Sequence, residues 1–489
     1  MKKLQYSDEQ LAIKAAGQDS TDNLLITALA GAAKSTTLEL LANSVPQRTV
    51  IALAFNKKIA DEMREKLPRR IEVRTMNALG HRLWGQALGK KLFLDTGKIY
   101  RLVTEFIDNQ VQQDRDALQD NLSFLLQSVR LLKSNGWVPS ACLDDDDKCG
   151  GFRVTPVVLD DEAPDYLEEE PTKAEWACIH YASRKSFLEA IEGKIDFGDQ
   201  LLLPGVCKIM FPPTNLVLID EAQDLSSLDH ELLRKLVGSR GRLIAVGDEN
   251  QAIYGFRGAD ADSMNRLETI FSMRRMELSC SFRCPEAIVR SVHWKTPHMK
   301  WWEGNPSNGH VDVLDSWDYS DIPEDSAIIC RNNAPLLTHT IGLIKAGRRA
   351  NFWGKDILEM IIKEMGKLGD SHLSRNEALA ACENARNRRL QKTRNKKQVE
   401  DQFDCIRLFI ERTDNLGAAK AEALRISQSR SGVDLMTGHK AKGHEFRNVY
   451  FLDSNIIADE GQDPNIRYVI QTRSFENLVY IDSDNRVGK

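Results

Sequence analysis

Residues 24–36 read LLITALAGAAKST, and this stretch decides the fold. The apolar run Leu24–Leu29 predicts a short buried strand, and a loop of small residues separates it from a helix-like continuation. A loop in that position presents backbone N–H groups and a helix N-terminus to phosphate oxygens. We expect Lys34 to reach the β- and γ-phosphates of a nucleotide and Ser35 to ligate Mg²⁺.

The match to a phosphate-binding loop is imperfect. The pattern GxxxxGK[ST] has glycine where this chain has Ala28 and Ala33. Ala33 matters more, because glycine at that position lets the backbone approach the phosphates closely. An ordinary tight turn between a strand and a helix is the alternative. The residues expected to contact a nucleotide are Ala30, Gly31, Ala32, Ala33, Lys34, Ser35 and Thr36.

Two later apolar runs end in polar residues, as strands of a parallel sheet do. Residues 216–219 (LVLI) lead directly into Asp220 and Glu221. Asp220 would hold Mg²⁺ and Glu221 would activate the attacking water, whereas the alternative is a solvated first turn of a helix. Residues 243–246 (LIAV) lead into a third block, in which Gln251 could reach a γ-phosphate or its attacking water.

Strands that alternate with helices predict a parallel α/β sheet, and two stretches of helical texture interrupt the pattern. The sequence therefore predicts two α/β cores, each with a helical insertion. The predicted bounds are residues 1–82 and 195–272 for the first core, 83–194 for its insertion, 273–355 and 432–489 for the second core, and 356–431 for a short, charged insertion.

The composition excludes a bulk-basic nucleic-acid binder, since the 489 residues carry a net charge of −5. Binding of single-stranded nucleic acid stays possible, because it needs only a locally positive groove and stacking aromatics. Nine scattered cysteines, no apolar run of ~18–20 residues and no signal peptide favour a soluble, cytoplasmic protein without a membrane partner. The acidic run at residues 144–147 is typical of a solvated loop. The basic stretch 386–397 suits either a grip on duplex DNA or a solvated helix face.

Further blocks follow in a characteristic order. They are YSDEQLAI around Gln10, AFNK at 54–57, TMNALG at 75–80, IDFGDQLL at 195–202, DEAQD at 220–224, QAIYGFRG at 251–258, LSCSFR at 278–283, AIICRNN at 327–333, TGHKAKGHEF at 437–446 and RYVIQTR at 467–473. Together with the phosphate loop, they resemble superfamily 1A helicases of the UvrD, Rep and PcrA type. The resemblance implies two RecA-like parallel-sheet domains, with ATP and Mg²⁺ as cofactors.

The same resemblance assigns roles in nucleotide binding. Gln10 would recognise adenine, and Phe282 would stack on it where the family usually has tyrosine. Glu445 would contact the ribose or the other domain. Arg283 and Arg473 would be arginine fingers, supplied by the second core to the phosphates held by the first.

A second set of residues would contact DNA. Tyr254 and Phe256 flank a flexible glycine and suit base stacking, although packing in the core is the alternative for each. By resemblance, the other DNA contacts are Phe55, Asn56, Thr75, Asn77, Arg257 and His439.

These assignments predict an ATP-dependent DNA helicase or translocase that moves 3′-to-5′ on single-stranded DNA or at a junction of single- and double-stranded DNA. The short second insertion suggests weak autoinhibition or dependence on a protein partner. One alternative is a DNA-stimulated ATPase that strips proteins and unwinds poorly. Another alternative is a nucleotide-gated subunit that binds single-stranded DNA with little ATP turnover. Ala33, in place of the usual glycine, is the feature that supports this alternative.

Overall fold

The computed structural model describes residues 6–143, 151–167, 169–255, 258–260, 262–393 and 396–487. Phe256 and Arg257, two of the expected DNA contacts, lie outside these ranges, as does the acidic run at 144–147. The chain forms two compact units. Unit 1 consists of the residues up to Leu29 and Ala33–Leu278, and unit 2 of Ala30–Ala32 and Ser279 onward.

Unit 1 contains the first sheet and a group of helices between its third and fourth long strands. Its elements are α1 (Asp8–Asp19), β1 (Leu24–Ala28), α2 (Lys34–Ser44), β2 (Val50–Ala54), α3 (Lys57–Lys66), β3 (Ile71–Thr75), α4 (Met76–Leu88), β4 (Phe93–Leu94), α5 (Lys98–Asp108), α6 (Gln112–Asp120), α7 (Leu122–Ser134), α8 (Lys173–Ile191), β5 (Lys194–Ile195), α9 (Asp199–Val206), β6 (Leu216–Ile219), α10 (Ser227–Val237), β7 (Arg242–Gly247), α11 (Ser263–Phe271) and β8 (Arg274–Leu278).

The first sheet has six parallel strands in the order β3-β2-β6-β7-β1-β8. Strands β1, β2, β6 and β7 are almost entirely buried, which is why they appear as continuous apolar runs rather than alternating ones. Because β6, β7 and β1 are neighbours, the residues that follow them meet at one edge of the sheet. Those residues are the acidic pair, the Gln251 block and the phosphate loop.

Unit 2 contains the second sheet and its own helices. Its elements are β9 (Cys280–Ser281), α12 (Glu286–Ser291), β10 (Lys300–Trp301), β11 (His310–Val313), β12 (Ser326–Cys330), α13 (Asn333–Lys345), β13 (Ala350–Phe352), α14 (Lys355–Lys367), α15 (Arg375–Lys392), α16 (Lys396–Glu411), α17 (Leu416–Ser427), β14 (Val433–Thr437), α18 (Gly438–Ala441), β15 (Phe446–Leu452), α19 (Asp463–Gln471) and β16 (Ser474–Ile481). The six strands of its main sheet are parallel, in the order β11-β16-β15-β12-β14-β13.

The helical insertions pack in different ways. Helices α5, α7 and α8 of unit 1 enclose a separate apolar cluster, which includes Leu102, Val129 and Ile179. In unit 2, α14–α17 bury their apolar faces in the same cluster as the sheet, so that Phe403 and Ile328 belong to one continuous core. The second insertion is therefore an extension of its sheet domain rather than a separately packed body.

The predicted fold class is confirmed, because the chain forms two parallel six-stranded sheets with helices, consistent with two RecA-like domains. One strand lies beyond its predicted place: β8 pairs with β1 and extends the first sheet to Leu278, six residues past the proposed boundary at residue 272. The first insertion also carries a short parallel pair, β4 with β5, where no strands were expected. Within the described ranges, no helix is both long and apolar enough to cross a membrane.

Candidate active site and nucleic-acid surface

The phosphate loop joins β1 to α2, as predicted, and its backbone turns through the left-handed region twice. Gly31 has φ of 74° and Ala33, the residue that precedes α2, has φ of 58° and ψ of 43°. A residue with a Cβ atom loses roughly 1–2 kcal/mol in this conformation relative to the right-handed one. The position where the family pattern has glycine is therefore one where glycine is conformationally favoured, and Ala33 adopts the same geometry under strain.

Lys34 begins α2 and points toward a group of carboxylates. Its Nζ lies 3.2 Å from Oε2 of Glu221, which follows β6. Burial acts to lower the pKa of Lys34, but the negative charges of Glu221, Asp248 and Asp220 outweigh that effect and hold the pKa above its usual value. The lysine is thus held in its charged form beside these carboxylates, and its contact with phosphate stays a prediction.

Asp220 is 5% exposed and its carboxylate is held close to the backbone of the next residue, whose N–H donates to Oδ1 at 2.9 Å. Burial, together with the negative charge of Glu221, raises the pKa of Asp220 to about 7, although Lys34 works in the opposite direction. Asp220 and Ser35 line the same cavity. A buried carboxylate that shares a cavity with a serine hydroxyl fits a divalent cation, whose charge would stabilise the anion.

The side chain of Gln223, for which the sequence indicates no role, connects the DEAQD motif to the start of the Gln251 block. Gln223 donates from Nε2 to Oε2 of Glu221 at 2.5 Å and accepts the backbone N–H of Asp248 at Oε1, at 3.0 Å. Asp248 in turn accepts from Nε2 of Gln251 at 2.6 Å. The three predicted residues Lys34, Glu221 and Gln251 are therefore brought into one network, with Gln223 and the buried Asp248 as the unpredicted members.

Gln10 lies close to the phosphate loop but has local partners for both ends of its carboxamide. Oε1 accepts the N–H of Ser7 at 3.0 Å in a capping box at the start of α1. Nε2 donates to Oγ1 of Thr37 at 3.1 Å, and that hydroxyl donates to the carbonyl of Ala33. The side chain thus braces the start of α2, and recognition of adenine by Gln10 stays a prediction.

Two of the predicted DNA-contacting aromatics lie together in unit 1. The rings of Phe55 and Tyr254 stack, with centroids 5.7 Å apart and an angle of 8° between their planes. Phe55 is 37% exposed, and Tyr254 is half-buried. The pair presents part of its aromatic surface to solvent at the ends of β2 and the Gln251 block, and its contact with DNA bases stays a prediction.

The polar residues expected to contact DNA have structural partners of their own. Asn56 and Thr75 are the N-caps of α3 and α4, where their side-chain oxygens accept backbone N–H groups. Asn77 donates from Nδ2 to the carbonyl oxygen of Phe197 at 2.7 Å. These residues thus build the two helix starts that follow β2 and β3 at the edge of the sheet, and their contact with DNA stays a prediction.

In unit 2, the predicted arginine fingers are bound to groups of the same unit. Arg283 forms an ion pair with Glu445, another predicted nucleotide contact. Arg473 is 2% exposed and donates from Nε to the carbonyl oxygen of Val469 at 3.0 Å. His439 lies half-buried in α18, in the turn that follows β14.

Phe282 has an aromatic neighbour that the sequence analysis did not identify. Its ring centroid lies 5.9 Å from that of Trp302, with the planes tilted by 44°. Trp302 is 41% exposed and directly follows β10, which pairs with β9 just before Phe282. No spacing in the sequence indicated this neighbour, because the pairing of two-residue strands leaves no periodic signal.

A buried ion cluster connects the first insertion to the start of α9 and the residues just before it. Lys98 is fully buried and lies 2.8 Å from Asp199, which is also fully buried. Lys133 lies 2.8 Å from Asp196 and 2.7 Å from the same Asp199. The IDFGDQLL block, assigned only by resemblance, thus supplies two carboxylates that neutralise two buried lysines.

Two parallel six-stranded sheets, the first with a lysine and carboxylates gathered at its carboxyl edge, define an α/β protein with two RecA-like domains. Comparison with known proteins confirms the resemblance to UvrD-like superfamily 1A helicases: residues 209–272 match the family described as UvrD/REP helicase N-terminal domain. These residues include the acidic motif and the Gln251 block.

Similar proteins carry helicase names. The chain is 24% identical over 301 residues to DNA helicase II of Escherichia coli (strain K12), covering 55% of this chain and 38% of the relative. It is 25% identical over 270 residues to ATP-dependent DNA helicase Rep of the same strain, covering 50% and 36%. A probable DNA helicase II homolog of Rickettsia felis is 24% identical over 325 residues, covering 60% and 46%. The aligned regions span less than half the length of each of these relatives.

Proposed function

We propose that this protein is an ATP-dependent motor that moves along single-stranded DNA and unwinds duplex DNA ahead of it. The observation that carries the proposal is the ion pair between Lys34 and Glu221 at the carboxyl edge of the first sheet, beside the buried Asp220. This arrangement joins a phosphate-binding cation to the two acids that nucleotide hydrolysis requires. The similarity to proteins named DNA helicase II and ATP-dependent DNA helicase Rep supports the same activity.

The roles of the side chains in unit 1 follow from their chemistry. Lys34 would exchange Glu221 for the β- and γ-phosphates of ATP, which releases Glu221 to orient and deprotonate the attacking water. Ser35 and Asp220 would hold Mg²⁺, which neutralises charge on the phosphate oxygens. Gln251 would sense the γ-phosphate from the neighbouring strand end.

The second unit would contribute positive charge. We propose that Arg283 leaves Glu445 and Arg473 turns toward the γ-phosphate when ATP is bound. Charge that develops in the transition state would then be stabilised only while both units hold the nucleotide. Repeated binding and hydrolysis would thereby drive steps along the DNA.

Single-stranded DNA is the proposed track. The stacked rings of Phe55 and Tyr254 offer a surface for unpaired bases, which an aromatic pair recognises whatever the base. Movement in the 3′-to-5′ direction is proposed from the similarity to the UvrD-like family alone.

A second function is favoured by one observation. Ala33 places a methyl group on a left-handed residue of the phosphate loop, where the family pattern has glycine. If that methyl group blocks a productive phosphate geometry, the protein would be a nucleotide-gated, DNA-binding subunit with little turnover.

Hydrolysis of ATP by the purified protein, measured with and without single-stranded DNA, separates the two functions. The motor predicts hydrolysis that DNA stimulates and that Lys34→Ala abolishes. Absence of turnover in both proteins, with DNA binding still sensitive to ATP, would establish the gated subunit instead.

Polarity and unwinding need a second experiment with duplexes that carry a single-stranded tail at one end. The proposal predicts ATP-dependent strand displacement on a 3′-tailed duplex and little on a 5′-tailed one. Displacement only from the 5′ tail would reverse the proposed direction, and stimulated hydrolysis without displacement on either would indicate a translocase that does not unwind.

A further inference from the structure

Gln223, in the DEAQD motif, has a buried side chain that is held by hydrogen bonds on two sides. Its side chain is 1% exposed and lies between Glu221, which follows β6, and the backbone of Asp248, which follows β7. The carboxamide thus spans two adjacent strand ends of the first sheet. Each of those ends carries a residue to which the proposed hydrolysis assigns a role, Glu221 on one and Gln251 on the other.

The orientation of the carboxamide follows from its partners. The N–H of Asp248 can only donate, so the atom that faces it at 3.0 Å is the oxygen Oε1. The amide group Nε2 then faces Oε2 of Glu221 at 2.5 Å. A flipped amide would set donor against donor, so the two contacts reinforce one another.

Glu221 needs an external support of this kind. It has φ of 56° and ψ of 44°, a left-handed conformation that costs on the order of 1–3 kcal/mol for a residue with a side chain. Strained residues keep such geometry only where the surroundings hold them in place. Lys34 and Gln223 both contact Oε2 of Glu221. Lys34 would turn to the phosphates when ATP binds, whereas Gln223 can keep its hydrogen bond.

The carboxamide of Gln223 packs directly against the end of β7. A Cβ atom added to Gly247, the last residue of β7, would lie 2.6 Å from Oε1 of Gln223. Glycine at this position therefore lets the carboxamide sit directly against the end of the strand.

We propose that Gln223 is a positioning residue that holds the carboxylate of Glu221 toward the attacking water and keeps it in register with the Gln251 block. The inference rests on the proposed ATP hydrolysis. When ATP draws Lys34 away from Glu221, the amide of Gln223 remains as a fixed support for the carboxylate. Gln223 touches neither nucleotide nor water in this role, and it acts on kcat through Glu221.

Two substitutions separate this role from a structural one. Gln223→Met removes both hydrogen bonds, whereas Gln223→Glu keeps an oxygen for the N–H of Asp248 and replaces the donor to Glu221 by a second carboxylate. We expect both variants to lose about 100-fold in kcat, because a displacement of about 1 Å costs that much in well-aligned catalysis. Affinity for a non-hydrolysable ATP analogue should change by less than about threefold, which excludes a general loss of the site.

A double-mutant cycle with Glu221→Gln measures whether the losses in kcat add up. A residue with a purely structural role would give additive losses. If Gln223 acts through Glu221, then Glu221→Gln combined with Gln223→Met is no slower than Glu221→Gln by itself. Gly247→Ala, whose methyl group would meet Oε1 of Gln223 first, should lower kcat in the same way and serves if a Gln223 variant does not fold.

Two results would overturn the inference. The first is an unchanged kcat in Gln223→Glu, which would show that only the contact with Asp248 matters. The second is fully additive losses of kcat in the double-mutant cycle. A wild-type protein without any ATP hydrolysis would instead remove the proposed function on which the inference rests.

Discussion

The rings of Phe55 and Tyr254 lie nearly parallel, with centroids 5.7 Å apart, although the two residues are 199 positions apart in the sequence. Phe55 follows β2 and Tyr254 follows the strand end after β7, and β2 and β7 flank β6 in the sheet. The fold therefore assembles one aromatic surface from two motifs at the edge that also carries the phosphate loop. Under the proposed function, bases and nucleotide would therefore bind along the same edge of the sheet.

Removal of either ring should weaken binding of single-stranded DNA. Base–aromatic stacking contributes about 1–3 kcal/mol per base, so Phe55→Ala or Tyr254→Ala should raise Kd by about 5- to 150-fold. The double variant should lose less than the sum, because each ring supports the other. Fluorescence anisotropy with a labelled oligothymidylate at constant salt measures the effect, with the exposed Leu424→Ala as the control. Unchanged Kd in both single variants would rule out this surface as the DNA site.

The strained Ala33 predicts a substitution that improves the phosphate loop. Ala33→Gly should relieve the left-handed strain and strengthen ATP binding, because glycine adopts φ of 58° without a steric cost. The matched control is Ala32→Gly, since Ala32 is not among the residues with positive φ and its replacement should only loosen the loop. Titration of a fluorescent ATP analogue compares the two variants. Weaker nucleotide binding by Ala33→Gly than by the wild type would contradict the role given to strain.

The ion cluster of the first insertion predicts a large loss of stability. Lys98→Met should lower the free energy of unfolding by about 3–5 kcal/mol, because Asp199 would remain buried with one of its two lysines removed. Lys98→Met combined with Asp199→Leu should recover part of the loss, since no buried charge pair is then broken. Urea denaturation measures both, and the control is Lys185→Met, whose side chain is 38% exposed and whose partner Glu105 is also accessible to solvent. A loss from Lys98→Met no larger than that of the control would show that the cluster does not hold the insertion.

A buried histidine of unit 2 predicts a dependence of stability on pH. His339 Nδ1 lies 3.1 Å from Tyr319 Oη, and Nε2 lies 3.0 Å from Ser483 Oγ, which donates to Asp453. A neutral imidazole with its proton on Nε2 satisfies both contacts. Burial, aided by the charges of Arg486 and Arg412, lowers the pKa of His339 to about 4.

The stabilisation by neutral His339 is therefore complete above the ordinary histidine pKa of about 6.5 and declines as pH falls toward 4. Over this range the histidine binds a proton in the unfolded chain but not in the folded one, which favours unfolding. The difference in free energy of unfolding between the wild type and His339→Gln should be largest near pH 7.5 and shrink by pH 5. Urea denaturation at several pH values gives this difference. A difference that stays constant with pH would contradict the neutral, buried histidine.

The sequence predicted the class of fold well because parallel sheets leave strong local signals. Strands such as Leu216–Ile219 are buried on both faces, so they appear as apolar runs, and the polar residues that follow them mark the carboxyl edge. The residues expected to bind phosphate and to activate water follow these strands, so the same signal located them. The end of the first sheet at β8 was misplaced, because three of its five side chains are exposed and form no apolar run.

What the sequence could not predict depends on contacts between distant positions. The sequence of DEAQD indicates no role for Gln223, because the partner of its side chain follows a different strand and becomes its neighbour only in the folded sheet. The partners of Lys98 and Lys133 lie more than 60 residues away. The strain at Ala33 and Glu221 was equally hidden, since neither residue type favours a left-handed backbone.

The central claim is movement along single-stranded DNA driven by ATP, and translocation kinetics test it most directly. Oligothymidylates of increasing length, each with a fluorophore at the 5′ end, are bound by the protein and mixed with ATP in a stopped-flow instrument. The account predicts a fluorescence change whose delay grows in proportion to length and which Lys34→Ala abolishes. A signal whose timing does not depend on length, despite tight DNA binding and ATP hydrolysis, would contradict directed movement.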